Sequence, residues 1–140
     1  MAAEKSLRKI LFVCVGNTCR SQMAEGFAEI HGKGKVEVQS AGTSASGIVN
    51  RNTIKAMAEK GIDISGHTSK QVTEEMIGWA DVVVTLGCCS ADMLCPVDFK
   101  GKKIDWKIDD PLGRPWEVMQ RVRDDIENKV KELISAETGD

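Results

Sequence analysis

Two hydrophobic rhythms alternate along this chain. Arg8 to Val15 carries the unbroken apolar run Ile10-Leu11-Phe12-Val13, which predicts a buried strand. Cys19 to about Gly32 then switches to helical spacing, with Met23, Phe27 and Ile30 on one stripe. Lys35-Val36-Glu37-Val38-Gln39 alternates with period two, the signature of a half-exposed edge strand. A second helix is predicted from about Asn52 to Lys60, with Ile54, Met57 and Ala58 inward and Gly61 placed to end it in a left-handed conformation. Ile62-Asp63-Ile64 and Gly66-His67 form a connection, and Thr73 to Ala80 reads as a short helix. Asp81 to Leu86 holds the β-branched run Val82-Val83-Val84-Thr85, suited to a central strand. Lys103 to Trp106 is a short strand, and Pro115 to about Ser135 is a closing helix with proline in its first turn. Its inner stripe is Trp116, Met119, Val122, Ile126, Val130 and Leu133; Asp125 with Lys129 and Glu127 with Lys131 are expected as exposed i,i+4 pairs. No repeat, low-complexity tract or linker interrupts the pattern.

Strands that alternate with helices imply a parallel sheet covered on both faces, with right-handed crossovers. An edge-like second strand beside apolar first and third strands predicts the order 2-1-3-4. In that order the winding reverses between strands one and three, and ligands bind beyond the strand ends at such a reversal. The segment after Val13 falls there.

Composition narrows the function classes. At 140 residues, 41% hydrophobic and 29% charged, this is an ordinary globular composition, expected as one domain over residues 1–140. A net charge of −2 gives no footprint for nucleic acid. No apolar run approaches the ~20 residues needed to span a bilayer. Met1-Ala2-Ala3-Glu4-Lys5 lacks the apolar core of a secretory signal, so a cytoplasmic protein and a monomer are expected. Five cysteines, an odd count with two adjacent, argue against a disulfide framework and for catalytic, metal-binding or buried roles.

The segment Cys14-Val15-Gly16-Asn17-Thr18-Cys19-Arg20-Ser21 separates these roles. A loop between a strand and a helix N-terminus points backbone N–H groups into one space, so Val15, Gly16, Asn17, Thr18, Cys19 and Arg20 are the candidate oxyanion binders. Arg20 adds a planar fork for a tetrahedral anion. The same positive environment favours the attacking thiolate of Cys14, and Ser21 is placed to donate a hydrogen bond to that sulfur. Asn17 is suited to hold the loop from inside through its amide. Cys19 reads as a small buried side chain. His31 and His67 read as structural or surface residues.

From Val13 to Gly26 the chain resembles the signature of low-molecular-weight tyrosine phosphatases and of their relatives, the thioredoxin-coupled arsenate reductases. The likeness extends to Ser40-Ala41-Gly42-Thr43, His67-Thr68-Ser69 and Asp109-Asp110-Pro111-Leu112-Gly113, in order and over most of the chain. It implies a flavodoxin-like three-layer sandwich around a four-stranded parallel sheet. It also implies that Asp110, directly before a proline, is the general acid; a leaving oxygen departs more readily when protonated.

The tyrosine phosphatases resembled here carry aromatic residues just after that Asp-Pro, where this chain has Leu112-Gly113. Losing one aromatic wall is worth ~0.5–1.5 kcal/mol beyond area burial, about tenfold at most. The downstream cysteines weigh more. Cys88 and Cys95, with six residues between them after the third strand, are similar to the redox pair of the reductases. The implied relay runs from Cys14, which attacks arsenate, to Cys88 and then to Cys95, with a thioredoxin-type dithiol regenerating the enzyme. Cys89 is a possible substitute for Cys88. Tyrosine phosphatase activity is the alternative reading.

No tightly bound cofactor is expected. Some reductases of this group hold potassium beside the loop, and Asn17, Glu25, Ser40 and Thr68 match that network. Lys70 stands where those enzymes have an aspartate, so its ammonium is expected to take the cation's electrostatic role. Two other classes compete: a phosphocarrier, which needs neither Asp110 nor the downstream cysteines, and a metal module on Cys88, Cys89, Cys95 and His67, whose adjacent cysteines suit tetrahedral chelation poorly.

Overall fold

The computed structural model describes residues 7–139; the stretch Met1-Ala2-Ala3-Glu4-Lys5, weighed above as a signal segment, lies outside them. Four strands, β1 (Arg8–Cys14), β2 (Val36–Gly42), β3 (Val82–Leu86) and β4 (Lys102–Trp106), form one parallel sheet in the order β2-β1-β3-β4. Five helices connect and cover it: α1 (Arg20–His31), α2 (Arg51–Ala58), α3 (Glu74–Trp79), α4 (Ala91–Leu94) and α5 (Trp116–Thr138). β1 sits between β2 and β3, with Ile10 opposite both Val38 and Val82. A strand covered on both faces must be apolar throughout, which accounts for the run from Ile10 to Val13.

Because side chains alternate across a strand, the sheet divides the core in two. Ile10, Phe12, Cys14, Val82, Val84 and Leu86 face one layer, with Met23, Phe27, Met57, Met119, Val122 and Ile126. Leu11, Val13, Ala41 and Val83 face the other, with Ile77, Ala80, Ala91 and Cys95. The three-layer arrangement and strand order follow the expectation from periodicity.

Several details differ from it. On α1 the buried face is centred on Met23, Ala24, Phe27 and Ala28, and Ile30 falls at its margin, 57% exposed. On α2 Thr53, Ala56 and Met57 turn inward, while Ala58 is exposed and Ile54 half-buried. Glu127 does not serve Lys131 alone: its carboxylate takes His31 Nε2 at 2.8 Å and Lys60 Nζ at 3.0 Å, tying α5 to α1 and to the end of α2. Burial would raise the Glu127 carboxyl, and those two bonds hold it low instead. Arg123, next to the inner stripe of α5, is buried and donates to the Ala56 carbonyl at 3.1 Å and to Glu59 at 2.6 Å. Gly61 does adopt the left-handed conformation, φ 76°.

Candidate active site

β1 and β3 both end at one edge of the sheet, and their exit loops meet there. Cys14 is the last residue of β1 and is buried. The loop to α1 is held from outside by its carbonyls. Cys14, Val15, Gly16 and Thr18 accept from the backbone N–H groups of Thr43, Ser44, Ser46 and Asn50 at 2.9–3.0 Å. Ser69 Oγ also donates to Gly16 O, and Thr53 Oγ1 to Thr18 O. In a trans peptide the next N–H points opposite to the carbonyl. With the carbonyls turned outward, the N–H groups of Val15, Gly16, Asn17 and Cys19 turn inward, toward the sulfur. The helix α1 begins at Arg20 with no side-chain cap, so its free amides face the same space.

Inside the loop, Ser21, Asn17, Ser40 and Glu25 form one hydrogen-bonded chain. Ser21 Oγ lies 2.9 Å from Cys14 Sγ. Asn17 adopts φ 49°, a left-handed conformation that asparagine tolerates better than most residues. Its amide donates to Ser21 Oγ at 2.7 Å and to Ser40 Oγ at 2.9 Å. Its oxygen accepts from Gln22 Nε2 and from the Lys70 backbone N–H. Because Ser21 Oγ accepts from Asn17, its hydroxyl hydrogen is available to the Cys14 sulfur. Ser40 in turn donates to Glu25.

Arg20 is buried and fixed. Its Nη1 donates to the Leu86 carbonyl at 2.9 Å and to the Ile108 carbonyl at 3.2 Å, and its Nη2 stands 4.0 Å from Asp110 Oδ2. Asp110 caps its own turn by accepting from the Leu112 N–H at 3.1 Å, and its carboxyl stays half-exposed at the mouth. Asp109 turns away toward Arg121. Beside the mouth, a cavity of about 150 Å³ is lined by Asn50, Pro111, Leu112, Trp116 and Met119. Trp116 thus supplies an aromatic surface that Leu112-Gly113 lacks, with Lys55 Nζ over its ring at 4.7 Å.

Cys19 is buried with its sulfur 3.8 Å from Met119 Sδ, and burial pushes its thiol up to about 12. It contributes a backbone amide and packing, not a nucleophile. Cys88 follows β3, its sulfur 3.7 Å from the Val13 carbonyl, the residue before the nucleophile. That sulfur is bonded to Cys89. Cys95 is a free thiol, buried at the end of α4 in the opposite layer from Cys14. The structure therefore brings Cys14, Arg20, Ser21, Asp110 and Cys88 to one end of the sheet and buries Cys95 at the end of α4, in the layer across the sheet from Cys14.

Two glycines matter in ways the motif alone does not reveal. A Cβ on Gly42 would strike the Val15 carbonyl and crowd the Asn17 N–H. Gly87, at φ 80°, would strike the Ile108 carbonyl and come within 2.9 Å of Arg20 Nη1. Gly87→Ala is expected to unseat Arg20 and weaken phosphate binding by about tenfold or more, the loss of one charged hydrogen-bonding group. Inorganic phosphate titration by calorimetry measures this.

Glu25, Glu29 and His67 place their ligand atoms within 4.8 Å of one another and are the described residues that could hold a metal. Each is already engaged: His67 Nδ1 meets Gln22 Oε1 at 3.0 Å and Nε2 meets Glu29 at 3.0 Å. Burial and the nearby Glu25 charge raise the Glu29 carboxyl. Both histidines are thus structural. Among the described residues no helix is long and apolar enough to cross a membrane.

Comparison with known proteins agrees with this geometry. The family described as low molecular weight phosphotyrosine protein phosphatase matches residues 9–138. Arsenate reductase 1 of Staphylococcus epidermidis is 48% identical over 125 residues, 89% of this chain and 93% of that protein. A solved arsenate reductase in the phosphate binding state superposes with a TM-score of 0.77 at 37% identity, covering 93% of this chain and 98% of that one. An arginine phosphatase from Geobacillus stearothermophilus superposes at 0.81 and 33% identity, with 92% of each chain covered. The matched span includes the loop after Cys14, Asp110 and the Cys88–Cys95 segment, and this chain belongs to the low-molecular-weight phosphotyrosine protein phosphatase family.

Proposed function

We propose that this protein reduces arsenate to arsenite by a cysteine relay, in which the reducing equivalents return from a thioredoxin-type dithiol. The observation that carries the reading is the Cys88 sulfur seated on the Val13 carbonyl, next door to the nucleophile. Hydrolysis of a phosphate ester needs one thiol; reducing an oxyanion needs two electrons, and a second thiol at the nucleophile's side supplies them. Relatives carrying the arsenate reductase name at 48% identity support the same choice.

Arsenate enters the cradle of loop amides and the Arg20 guanidinium. The Cys14 thiolate forms a bond to arsenic, and an arsenic–oxygen bond breaks as Asp110 protonates the departing oxygen. The Cys88 thiolate then attacks Cys14 Sγ. The sulfur–arsenic electron pair stays on arsenic, which leaves as arsenite, and Cys14–Cys88 becomes a disulfide. The Cys95 thiolate then attacks Cys88 Sγ, Cys14 leaves as thiolate, and Cys88–Cys95 becomes the exit disulfide, which the external dithiol reduces by exchange. The first step is common to arsenate and phosphate esters, so the protein should also hydrolyse small aryl phosphates.

Cys88→Ser tests the reading. Arsenate turnover coupled to a thioredoxin system should vanish, while aryl phosphate hydrolysis stays within about threefold, since the sulfur lies outside the anion cradle. Equal loss of both activities would refute the redox assignment.

One hydrogen bond supports an electrostatic role for Lys70 in place of a bound potassium ion. Lys70 Nζ donates to the Thr68 carbonyl at 3.1 Å, and Gln22 Nε2 takes the same oxygen at 2.9 Å. We assign Lys70 the role of a built-in positive charge behind Asn17. The rate should therefore stay flat through a potassium titration, and strong activation would count against the assignment.

A further inference from the structure

The relay runs through Cys14, Cys88 and Cys95 and leaves Cys89 without a role. Cys89 directly follows Cys88 in the chain, and the two sulfurs meet, bonded to one another. The span that carries them, 87–90, is fixed at both ends. Before it, the Leu86 carbonyl accepts from Arg20 Nη1 at 2.9 Å, and Gly87 lies so close to the Ile108 carbonyl that a Cβ would strike it. After it, the Ala91 N–H donates to Asp105 Oδ1 at 2.9 Å. Both cysteines are partly buried, and Cys89 packs against the layer that holds Leu11, Val13 and Cys95. Cys88 Sγ is 3.7 Å from the Val13 carbonyl. The pair therefore stands at the sheet edge where the anion loop begins.

Two thiols held side by side are a ligand for a soft, thiophilic centre. Arsenate is not one: it is a hard tetrahedral oxyanion, suited to the loop amides and Arg20. Its reduction product is. Arsenite is neutral and trivalent at arsenic, and thiols displace its hydroxyls. Once one sulfur is bound, the second bond closes within the molecule, so a pair holds arsenic about 10²-fold or more tightly than a lone thiol. No other cysteine offers such a pair by adjacency. The Cys14 sulfur has Ser21 Oγ as its neighbour, and Cys19 is buried with its thiol pushed up to about 12. Cys95 is separated from Cys89 by the turn of α4.

We infer that the reduced Cys88-Cys89 pair is a binding site for trivalent arsenic. Its meaning as a product site rests on the reductase reading; the binding chemistry does not. Two arsenic–sulfur bonds form and two arsenic–oxygen bonds break. The two thiol protons leave with the two displaced hydroxyls as water. Arsenic keeps its third hydroxyl and its oxidation state, so no electron moves. The external dithiol that reduces the exit disulfide also keeps this pair reduced. With arsenic on its sulfur, Cys88 is unable to attack Cys14. Bound product therefore halts the relay and leaves Cys14 itself free.

The test uses the full chain as wild type, Cys89→Ser, Cys89→Ala and Cys95→Ser, reduced with a phosphine that offers no competing thiol, with folding checked by circular dichroism. One equivalent of phenylarsine oxide, whose arsenic takes two thiols only, is added. The remaining thiols are alkylated, and the protected cysteines are mapped by peptide mass spectrometry. Arsenite affinity is measured by calorimetry. The expected result is that Cys88 and Cys89 are the protected pair in the wild type. Arsenite binding should weaken by about tenfold or more in the Cys89 variants and by less than about threefold in Cys95→Ser. Saturating arsenite should leave wild-type aryl phosphate hydrolysis within about threefold, because that reaction needs Cys14 alone. Having both a serine and an alanine at position 89 keeps the test alive if one of them misfolds. Three results overturn this inference and leave the reductase reading standing: protection of Cys88 together with Cys14 or Cys95, a folded Cys89 variant that binds arsenite as tightly as the wild type, or hydrolysis stopped by arsenite. A wild type that binds arsenite at this pair yet never consumes arsenate overturns the reductase reading and leaves the site standing.

Discussion

Cys14→Ser is expected to abolish arsenate reduction and aryl phosphate hydrolysis together, with kcat lower by about 10⁴-fold or more. The thiolate is the attacking species, and a serine hydroxyl does not ionise under the conditions at which a thiol does. No neighbouring base rescues it: the nearest partner of that side chain is Ser21 Oγ at 2.9 Å, a hydroxyl, which stabilises a thiolate by donating but has no capacity to take a proton. Anion binding should survive. The outward-turned carbonyls of Cys14, Val15, Gly16 and Thr18 are held by Thr43, Ser44, Ser46 and Asn50, and none of those bonds involves the sulfur. Arg20 keeps its place through Leu86 and Ile108. Phosphate affinity by calorimetry should therefore stay within about threefold of the parent while both rates disappear, the pattern of a group used in the transition state only. Parallel loss of phosphate binding would instead mark Cys14 as a structural residue of the loop.

Asp110→Asn should lower the rate by about 10²–10⁴-fold for substrates whose leaving oxygen is strongly basic, and by far less for an activated ester. General acid catalysis matters in proportion to how badly the departing oxygen needs a proton. Phenyl phosphate and arsenate should suffer; p-nitrophenyl phosphate, whose phenolate leaves readily, should lose little. The position of the carboxyl supports the role. It is held at the mouth by the Leu112 N–H and stands 4.0 Å from Arg20 Nη2, close enough to reach an oxygen of a bound anion yet still half-exposed and able to exchange protons with water. Initial rates across a series of aryl phosphates give the slope against leaving-group basicity, which should steepen in the variant. An unchanged slope would assign Asp110 to holding the turn, with the acid elsewhere.

The site was legible where chemistry and local structure coincide. Cys14 after an apolar strand, Gly16 within the loop and Arg20 at the helix start form a local motif, although the bonds that hold it as a cradle come from Thr43, Ser44, Ser46, Asn50 and Ser69 and were not legible. Asp110 required the family resemblance, because an Asp-Pro turn is common and only Arg20 nearby gives it meaning. The roles of Gly87, Gly42 and Asp105 were not legible. Each acts on a residue far along the chain: Gly87 on Ile108 and Arg20, Gly42 on Val15, Asp105 on Ala91. Gly87 had a faint signal in its position directly after an apolar strand. The inward stripes failed at Ile30 and Ala58 for a related reason. Helical spacing places residues around an axis, but the neighbour that covers a face sets where its centre lies.

Periodicity and one eight-residue motif were sufficient to establish the sheet order, the two helical layers and the location of the anion loop. These depend on near-neighbour sterics and on alternation along a strand, which the chain carries residue by residue. Which cysteine stands beside Cys14 was a different kind of question. The sequence reading put Cys88 next to Cys14 and Cys95 after it, and the packing gives that order its distances: Cys88 sits on the Val13 carbonyl, while Cys95 is buried at the end of α4 in the layer across the sheet from Cys14. A sulfur's access to another sulfur depends on burial and on bonds made by residues that neither cysteine touches in sequence, so only the packed molecule decides it.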